Sequence, residues 1–210
     1  MNKILITGFE RFGDYKENIT EVISKKNLEL PNHSLEYMIF PVRIFSNGAE
    51  NYGKQIIAKA KKINAKAIIS LGMGSDIKGL RIESQAINWV ENAKYCIPSE
   101  QRRAIDDNLS PKTTLSIDLN KWNISKIFSS FKEMNISHES EISIDANSFC
   151  CNALMFRTLQ VIQLESCEIP YIYLHLPCSK HAIEGISNFD KKKTSYINIW
   201  MNKLNILNIF

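Results

Sequence analysis

Short apolar runs alternate with amphipathic stretches along the chain. Lys3 to Thr7 carries the continuous block Ile4-Leu5-Ile6 and reads as a short strand buried on both faces, ending at Gly8. A polar loop follows to about Glu17, and Thr20 to Lys26 reads as a helix. Leu35 to Val42, rich in Tyr, Met, Ile and Phe, predicts a second strand. Asn47 to Ile63 predicts a helix: Ala49, Tyr52, Ile56, Ile57, Ala60 and Ile63 recur mostly at spacings of three and four, with Lys between them. Ala67 to Leu71 predicts a buried strand stopped by Gly72-Met73-Gly74, and Gly79 to Trp89 predicts another.

From Glu91 to Asn120 the pattern weakens, and Pro98 and Pro111 in polar surroundings predict a long loop with irregular pieces. Leu119 to Met134 predicts a helix built on Trp122, Ile127, Phe128 and Phe131. Glu141 to Ile144 predicts a short strand, Ser148 to Ile162 a well-buried apolar helix and Tyr171 to Leu176 a strand. Thr194 to about Leu207 predicts a terminal helix. Strands alternating with helices, without repeats or an internal linker, predict a three-layer α/β/α sandwich with a largely parallel mixed sheet. Residues 1–210 are expected to form a single domain.

Composition narrows the class. The 210 residues are 44% hydrophobic and 23% charged, which excludes a disordered chain, and 8 Gly with 6 Pro exclude a collagen-like one. The formal charge of +4 is not gathered into a basic stripe. The densest run, Lys191-Lys192-Lys193, reads as solvated surface, and no nucleic-acid partner is expected. No stretch approaches the roughly 20 apolar residues that cross a bilayer, and the N-terminus lacks the pattern of a secretory signal. The expectation is a cytoplasmic protein without a membrane partner. The cysteines are Cys96, Cys150, Cys151, Cys167 and Cys178, an odd count with no C-x-x-C pair. Neither a disulfide framework nor a structural zinc site is expected, and reduced thiols follow.

In open α/β sheets, sites gather at the carboxyl ends of strands. Gly8 to Gly13, Glu83, the segment Asn147 to Asn152 and His175 are the candidates for that edge. A Cys at a helix N-terminus is placed to be a thiolate, because backbone N–H groups and the helix dipole favour the anion. A His can take its proton and later protonate a leaving amine, and a carboxylate can hold that His in one tautomer. Cys151, His175 and Glu83 supply one of each. Read from residue type alone, the same three are also a small buried apolar residue, a core histidine and an edge carboxylate.

The motifs weigh against that bland reading. Gly8-Phe9-Glu10-Arg11-Phe12-Gly13 resembles the G-F-E-P-F-G of the pyroglutamyl peptidase I family, the pyrrolidone-carboxylate peptidases. Glu83-Ser84-Gln85-Ala86-Ile87-Asn88 resembles its E-R-V-A-I-N, Ser148-Phe149-Cys150-Cys151-Asn152 its T-F-V-C-N, and Tyr173-Leu174-His175-Leu176-Pro177 its I-H-V-P. The four motifs occur in the family's order between Lys3 and about Pro177.

The resemblance implies a cysteine omega-peptidase that removes N-terminal pyroglutamate from peptides, with no cofactor and no metal. It implies Cys151 as nucleophile, His175 as base and Glu83 as orienting acid. Phe9, Phe12 and Phe149 match aromatic positions enclosing the lactam ring, and Asn18 matches an asparagine near that pocket. A homo-oligomer, commonly a tetramer, is implied as well. His33, His138 and His181 lie in mostly polar segments outside the motifs and are assigned no catalytic role.

The chain departs from the family where Ser84 replaces the Arg after the Glu, where Ser75-Asp76-Ile77 replaces G-G-R, at Arg11, and at Asn18-Ile19-Thr20 for N-P-S. The lost Arg positions motivate one alternative, a divergent, non-peptidase member binding a lactam or peptide terminus without efficient turnover; another cysteine-dependent amide hydrolase on the same scaffold is a third reading. Adjacent residues at a helix start project about 100° apart, so only one of Cys150 and Cys151 is expected to face the cleft. The motif selects Cys151, partly exposed and low in pKa, and leaves Cys150 as a packed, inert thiol in place of the family's Val.

Overall fold

The computed structural model describes residues 2–13, 15, 17–25, 33–46, 48–74, 77, 79–91, 102–132, 140–145 and 148–177. The expected helix from Thr194 to Leu207, the Lys191 to Lys193 run, Cys96, Cys178, His138, His181, Ser75 and Asp76 lie outside the described residues.

The strands are β1 (Asn2–Phe9), β2 (His33–Phe40), β3 (Ala65–Gly74), β4 (Arg81–Glu83), β5 (Gln85–Ile87), β6 (Thr114–Ser116), β7 (Glu141–Ser143) and β8 (Tyr171–Pro177). The helices are α1 (Ile19–Lys25), α2 (Tyr52–Lys62), α3 (Ile124–Lys132) and α4 (Cys150–Leu164). Six strands form one sheet in the order β2-β1-β3-β8-β4-β7, and β5 pairs with β6 in a separate ribbon. Strands β2, β1, β3 and β8 are mutually parallel, while β4 runs antiparallel to β8 and carries β7 parallel to itself.

The apolar run of β1 does what its composition predicts. It lies inside the sheet between β2 and β3, with Ile4, Leu5 and Ile6 buried. Side chains alternate across the pleat. Leu5 and Phe9 join a cluster with α2 and α4, and Ile4 and Ile6 join a second with Ile23 of α1 and Ile127 of α3. Strand β8 divides the same way, Tyr171 and Tyr173 toward α4, and Ile172, Leu174 and Leu176 toward the other layer. Each aliphatic side chain removed from water in this way contributes about 1.5–3 kcal/mol. The result is the expected three-layer sandwich with a mostly parallel sheet.

Four local expectations differ. The helix expected from Leu119 starts at Ile124, because a short 3-10 turn at Leu119–Lys121 ends in an extended Trp122. The run from Gly79 to Trp89 is two strands, broken at Ser84. The Ser84 N–H donates to the Ser143 carbonyl at 2.7 Å, while its own carbonyl accepts from Ile117 N–H at 2.9 Å. Opposite sides of one residue therefore pair with different segments, and the chain leaves the main sheet there. The expected loop from Glu91 to Asn120 contains β6, which pairs with β5 as Ala86 opposite Leu115. Its polar stretch is wound around Asn88, whose Oδ1 accepts from Asp106 N–H at 2.8 Å. The Asn88 Nδ2 reaches the carbonyls of Asp106, Leu109 and Ser110 at 2.9, 3.1 and 3.1 Å.

Finally, Gly72 does not stop β3, which continues to Gly74. Gly72 stands directly opposite His175 in the register. A Cβ on Gly72 would collide with the imidazole and lie 2.6 Å from its Nε2. The residue is glycine because a side chain of β8 occupies the space above it. We predict that Gly72→Ala costs about 1–3 kcal/mol of stability by overpacking and at least tenfold in activity by displacing His175. Thermal unfolding and kcat/KM check the pair; a wild-type rate in a folded variant would contradict this packing.

Candidate active site

The face of the sheet covered by α4 collects the titratable groups. Alternation along β8 puts Tyr173 and His175 on this face, with ring centroids 5.2 Å apart. On β4, Glu83 pairs with Tyr173 in the register and Arg81 with His175. Because β4 runs antiparallel, Glu83 lies one level deeper in the sheet than His175 and reaches it diagonally. The His175 Nδ1–H donates to Glu83 Oε1 at 2.5 Å, with both side chains buried. That bond leaves Nε2 as the nitrogen free to act.

Cys151 lies in the first turn of α4. This helix starts after Phe149, which is extended and offers no side-chain cap. Its first internal bond runs from Ala153 N–H to the Phe149 carbonyl, 2.9 Å, so the N–H groups before Ala153 have no partner within the helix. Two ties to the β5 arm fix this helix start. The Asn152 side chain accepts from Ile87 N–H and donates to the carbonyls of Ile87 and Trp89, each at 2.9 Å. The Glu91 N–H donates to the Ser148 carbonyl at 2.8 Å.

The thiol of Cys151 is held well below the ordinary cysteine range. The largest cause is a hydrogen bond from Cys150; the charge and hydrogen bond of His175 and the Tyr173 hydroxyl add to it, together outweighing burial. His175 moves the other way, to about 9: burial opposes its charge, and the Cys151 thiolate and Glu83 overcome that opposition. The two shifts describe one thing, a thiolate–imidazolium pair in a buried setting.

The expectation of a partly exposed Cys151 is corrected, since both thiols are buried. Cys150 is packed and the Cys151 pKa is low, as expected, with Cys150 the largest cause of that lowering. The physical reason is that α4 packs on the sheet and covers both Cys150 and Cys151 in one cluster.

The aromatic candidates share this face. Phe9 is buried in the cluster that includes Cys150 and Cys151, and Phe12 and Phe149 are partly buried against it. Phe12 also packs on Tyr15, ring centroids 5.2 Å apart. Asn18 is buried and works on the backbone: its Oδ1 accepts from Thr20 N–H at 3.0 Å as the cap of α1, and its Nδ2 donates to the Glu10 carbonyl at 3.1 Å. The Thr20 hydroxyl in turn accepts from Phe9 N–H at 2.9 Å. A Cβ on Gly8 would lie 2.7 Å from Thr20 Cβ, so glycine there lets α1 close onto β1. Asn18 thus shapes the loop that carries Phe9 and Phe12.

From sequence, Tyr173 and Asn152 carry no assigned role, Gly72 reads only as part of a strand stop and Cys150 only as a packed thiol. For Tyr173 the signal was available, since it lies two residues before His175 on a strand and therefore on the same face.

A thiolate at a helix start, facing an imidazolium braced by a buried carboxylate, defines the class of cysteine-nucleophile hydrolases. The chain belongs to the pyroglutamyl peptidase family, whose model matches residues 2–196. It is 25% identical to a pyrrolidone-carboxylate peptidase of Thermococcus litoralis over 180 residues, 84% of this chain and 77% of that protein. It is 28% identical to that of Oceanobacillus iheyensis over 186 residues, 85% of each chain. The solved pyrrolidone carboxyl peptidase of Thermococcus litoralis shares the fold, with a TM-score of 0.70 at 21% identity over 98% of this chain and 93% of that one.

Proposed function

We propose that this protein is a cysteine omega-peptidase that hydrolyses the bond after an N-terminal pyroglutamyl residue, with Cys151 as nucleophile, His175 as acid and base, and Glu83 as the acid that orients His175. The observation that carries the reading is the buried His175–Glu83 hydrogen bond together with a buried cysteine, Cys151, in the first turn of α4; the lowered Cys151 and raised His175 pKa values support it. The thiolate attacks the pyroglutamyl carbonyl carbon, and the electron pair moves to the carbonyl oxygen. The N–H groups at the start of α4, unused by the helix, stabilise that oxyanion. His175 gives its Nε2 proton to the departing amine as the C–N bond breaks. Water then attacks the thioester, His175 taking its proton, and the thiolate leaves with free pyroglutamate. The cycle consumes only peptide and water.

Phe9, Phe12 and Phe149 would enclose the lactam, which is small, flat and uncharged, while Asn18 sets the loop bearing two of them. The ring's N–H and C=O need partners, since each left bare costs about 1–3 kcal/mol. We read residues 1–210 as a single catalytic domain of a cytoplasmic homo-oligomer, with a tetramer as the state to test by light scattering. Among the described residues no helix is long and apolar enough to cross a membrane.

The deciding experiment is release of fluorophore from a pyroglutamyl amide, with the prolyl amide as control. Turnover of the first and not the second is expected; no turnover would overturn the proposal. The pH profile of kcat/KM should be bell-shaped. On the acid side activity falls as the Cys151 sulfur gains a proton, well below the ordinary thiol range. On the alkaline side it falls near about 9, as His175 loses the proton it must give the amine.

A further inference from the structure

We infer that Tyr173 is a further catalytic group of this site: its buried hydroxyl donates a hydrogen bond to the Cys151 sulfur and holds the nucleophile as a thiolate until it attacks. The inference rests on the cysteine-nucleophile reading above and adds a fourth side chain to it.

The geometry comes first. Tyr173 is completely buried, yet its hydroxyl has no partner of standard hydrogen-bond geometry among the described residues. Leaving a buried hydroxyl bare costs about 1–3 kcal/mol, and phenylalanine would fill the same volume without that cost. The hydroxyl also has a defined direction. A Cβ on Gly72 would lie 2.9 Å from the Tyr173 oxygen and 2.6 Å from His175 Nε2. The phenol oxygen and the working nitrogen of the imidazole therefore converge over one glycine, on the sheet face where Tyr173 and Cys151 belong to one buried cluster.

The chemistry fits a donor. The groups that act electrostatically on the sulfur are Cys150 from α4 and His175, Tyr173 and Tyr171 from β8, with Glu83 of β4 acting through His175. Burial, and then the negative charge on Cys151, hold the Tyr173 proton far more tightly than in water. Tyr173 thus stays a neutral O–H donor wherever the enzyme works, whereas His175 must give its proton away during the reaction. When the leaving group takes the His175 proton, the phenol remains to receive the thiolate expelled from the thioester.

The test uses the full chain and Tyr173→Phe. The rate of iodoacetamide alkylation of Cys151, assigned by peptide fragment ions, is measured from pH 4 to 9 alongside kcat/KM on a pyroglutamyl amide. Loss of the hydroxyl should raise the alkylation midpoint by about 1 pH unit, making labelling about tenfold slower at the acid end and unchanged at the alkaline plateau. The acid limb of kcat/KM should move with it while KM stays constant. The melting temperature should hold or rise, because an unpartnered hydroxyl has been removed. Superimposable alkylation profiles, or early melting, would overturn the inference and make Tyr173 a structural residue. Alkylation needs no substrate, so a wild type inactive on pyroglutamyl amides would defeat the proposed function while leaving this result readable.

Discussion

Cys151→Ala should lose hydrolysis of a pyroglutamyl amide by at least about 10⁴-fold, because nothing else in the site forms the covalent intermediate. The adjacent thiol is no substitute. Cys150 precedes Cys151 at the start of α4 and is packed into the same cluster; in the proposed mechanism it lowers its neighbour's pKa rather than acting as a second nucleophile. Cys150→Val should therefore keep most of the activity at the optimum and raise the acid limb of the pH profile, as the thiolate loses its strongest hydrogen bond. Steady-state kinetics and iodoacetamide labelling, with and without a protecting pyroglutamyl ligand, check both variants. Retained turnover in Cys151→Ala, or labelling that begins at Cys150, would reject the nucleophile.

Glu83→Gln should preserve the packing and lose about 10³–10⁴-fold in kcat, the scale seen when a triad acid becomes its amide. Glu83 is fully buried, and its Oε1 takes the Nδ1–H of His175. An amide NH₂ in that place would favour the tautomer with its proton on Nε2, so the imidazole could no longer take the thiol proton. The alkylation rate of Cys151 at neutral pH should fall in parallel, because the imidazolium partner is no longer stabilised. Unchanged alkylation together with unchanged kcat would remove Glu83 from the mechanism.

The replacement at Ser84 is less damaging in the fold than in the comparison of motifs. Ser84, where the resembled family carries Arg, bonds the Ser143 carbonyl through both its N–H and its hydroxyl, at 2.7 and 2.8 Å. It serves as the point where the chain turns from β4 into the β5 ribbon. Its neighbour Glu83 keeps its partner without an arginine beside it.

Much of the architecture was legible in the chain alone, for a physical reason. Periodicity and apolar runs are properties of a single segment, so β1 with Ile4 to Ile6, the buried helix α4 and the strand carrying His175 can be read one at a time. The alternation of such segments limits the layers they can form, and four short motifs point to Cys151, His175 and Glu83. What the chain alone leaves open is which segments meet. The break at Ser84 depends on partners at Ser143 and Ile117, and the antiparallel β4 sets Glu83 beneath a histidine 92 residues away. Gly72 reads locally as a strand terminator and becomes, opposite His175, the gap that admits an imidazole. Tyr173 reads as one more core aromatic until β3, β8 and α4 close around its hydroxyl. Such contacts join segments far apart in sequence, and no local pattern encodes them; only the packed sheet decides which polar atoms are buried together and therefore which of them must do chemistry.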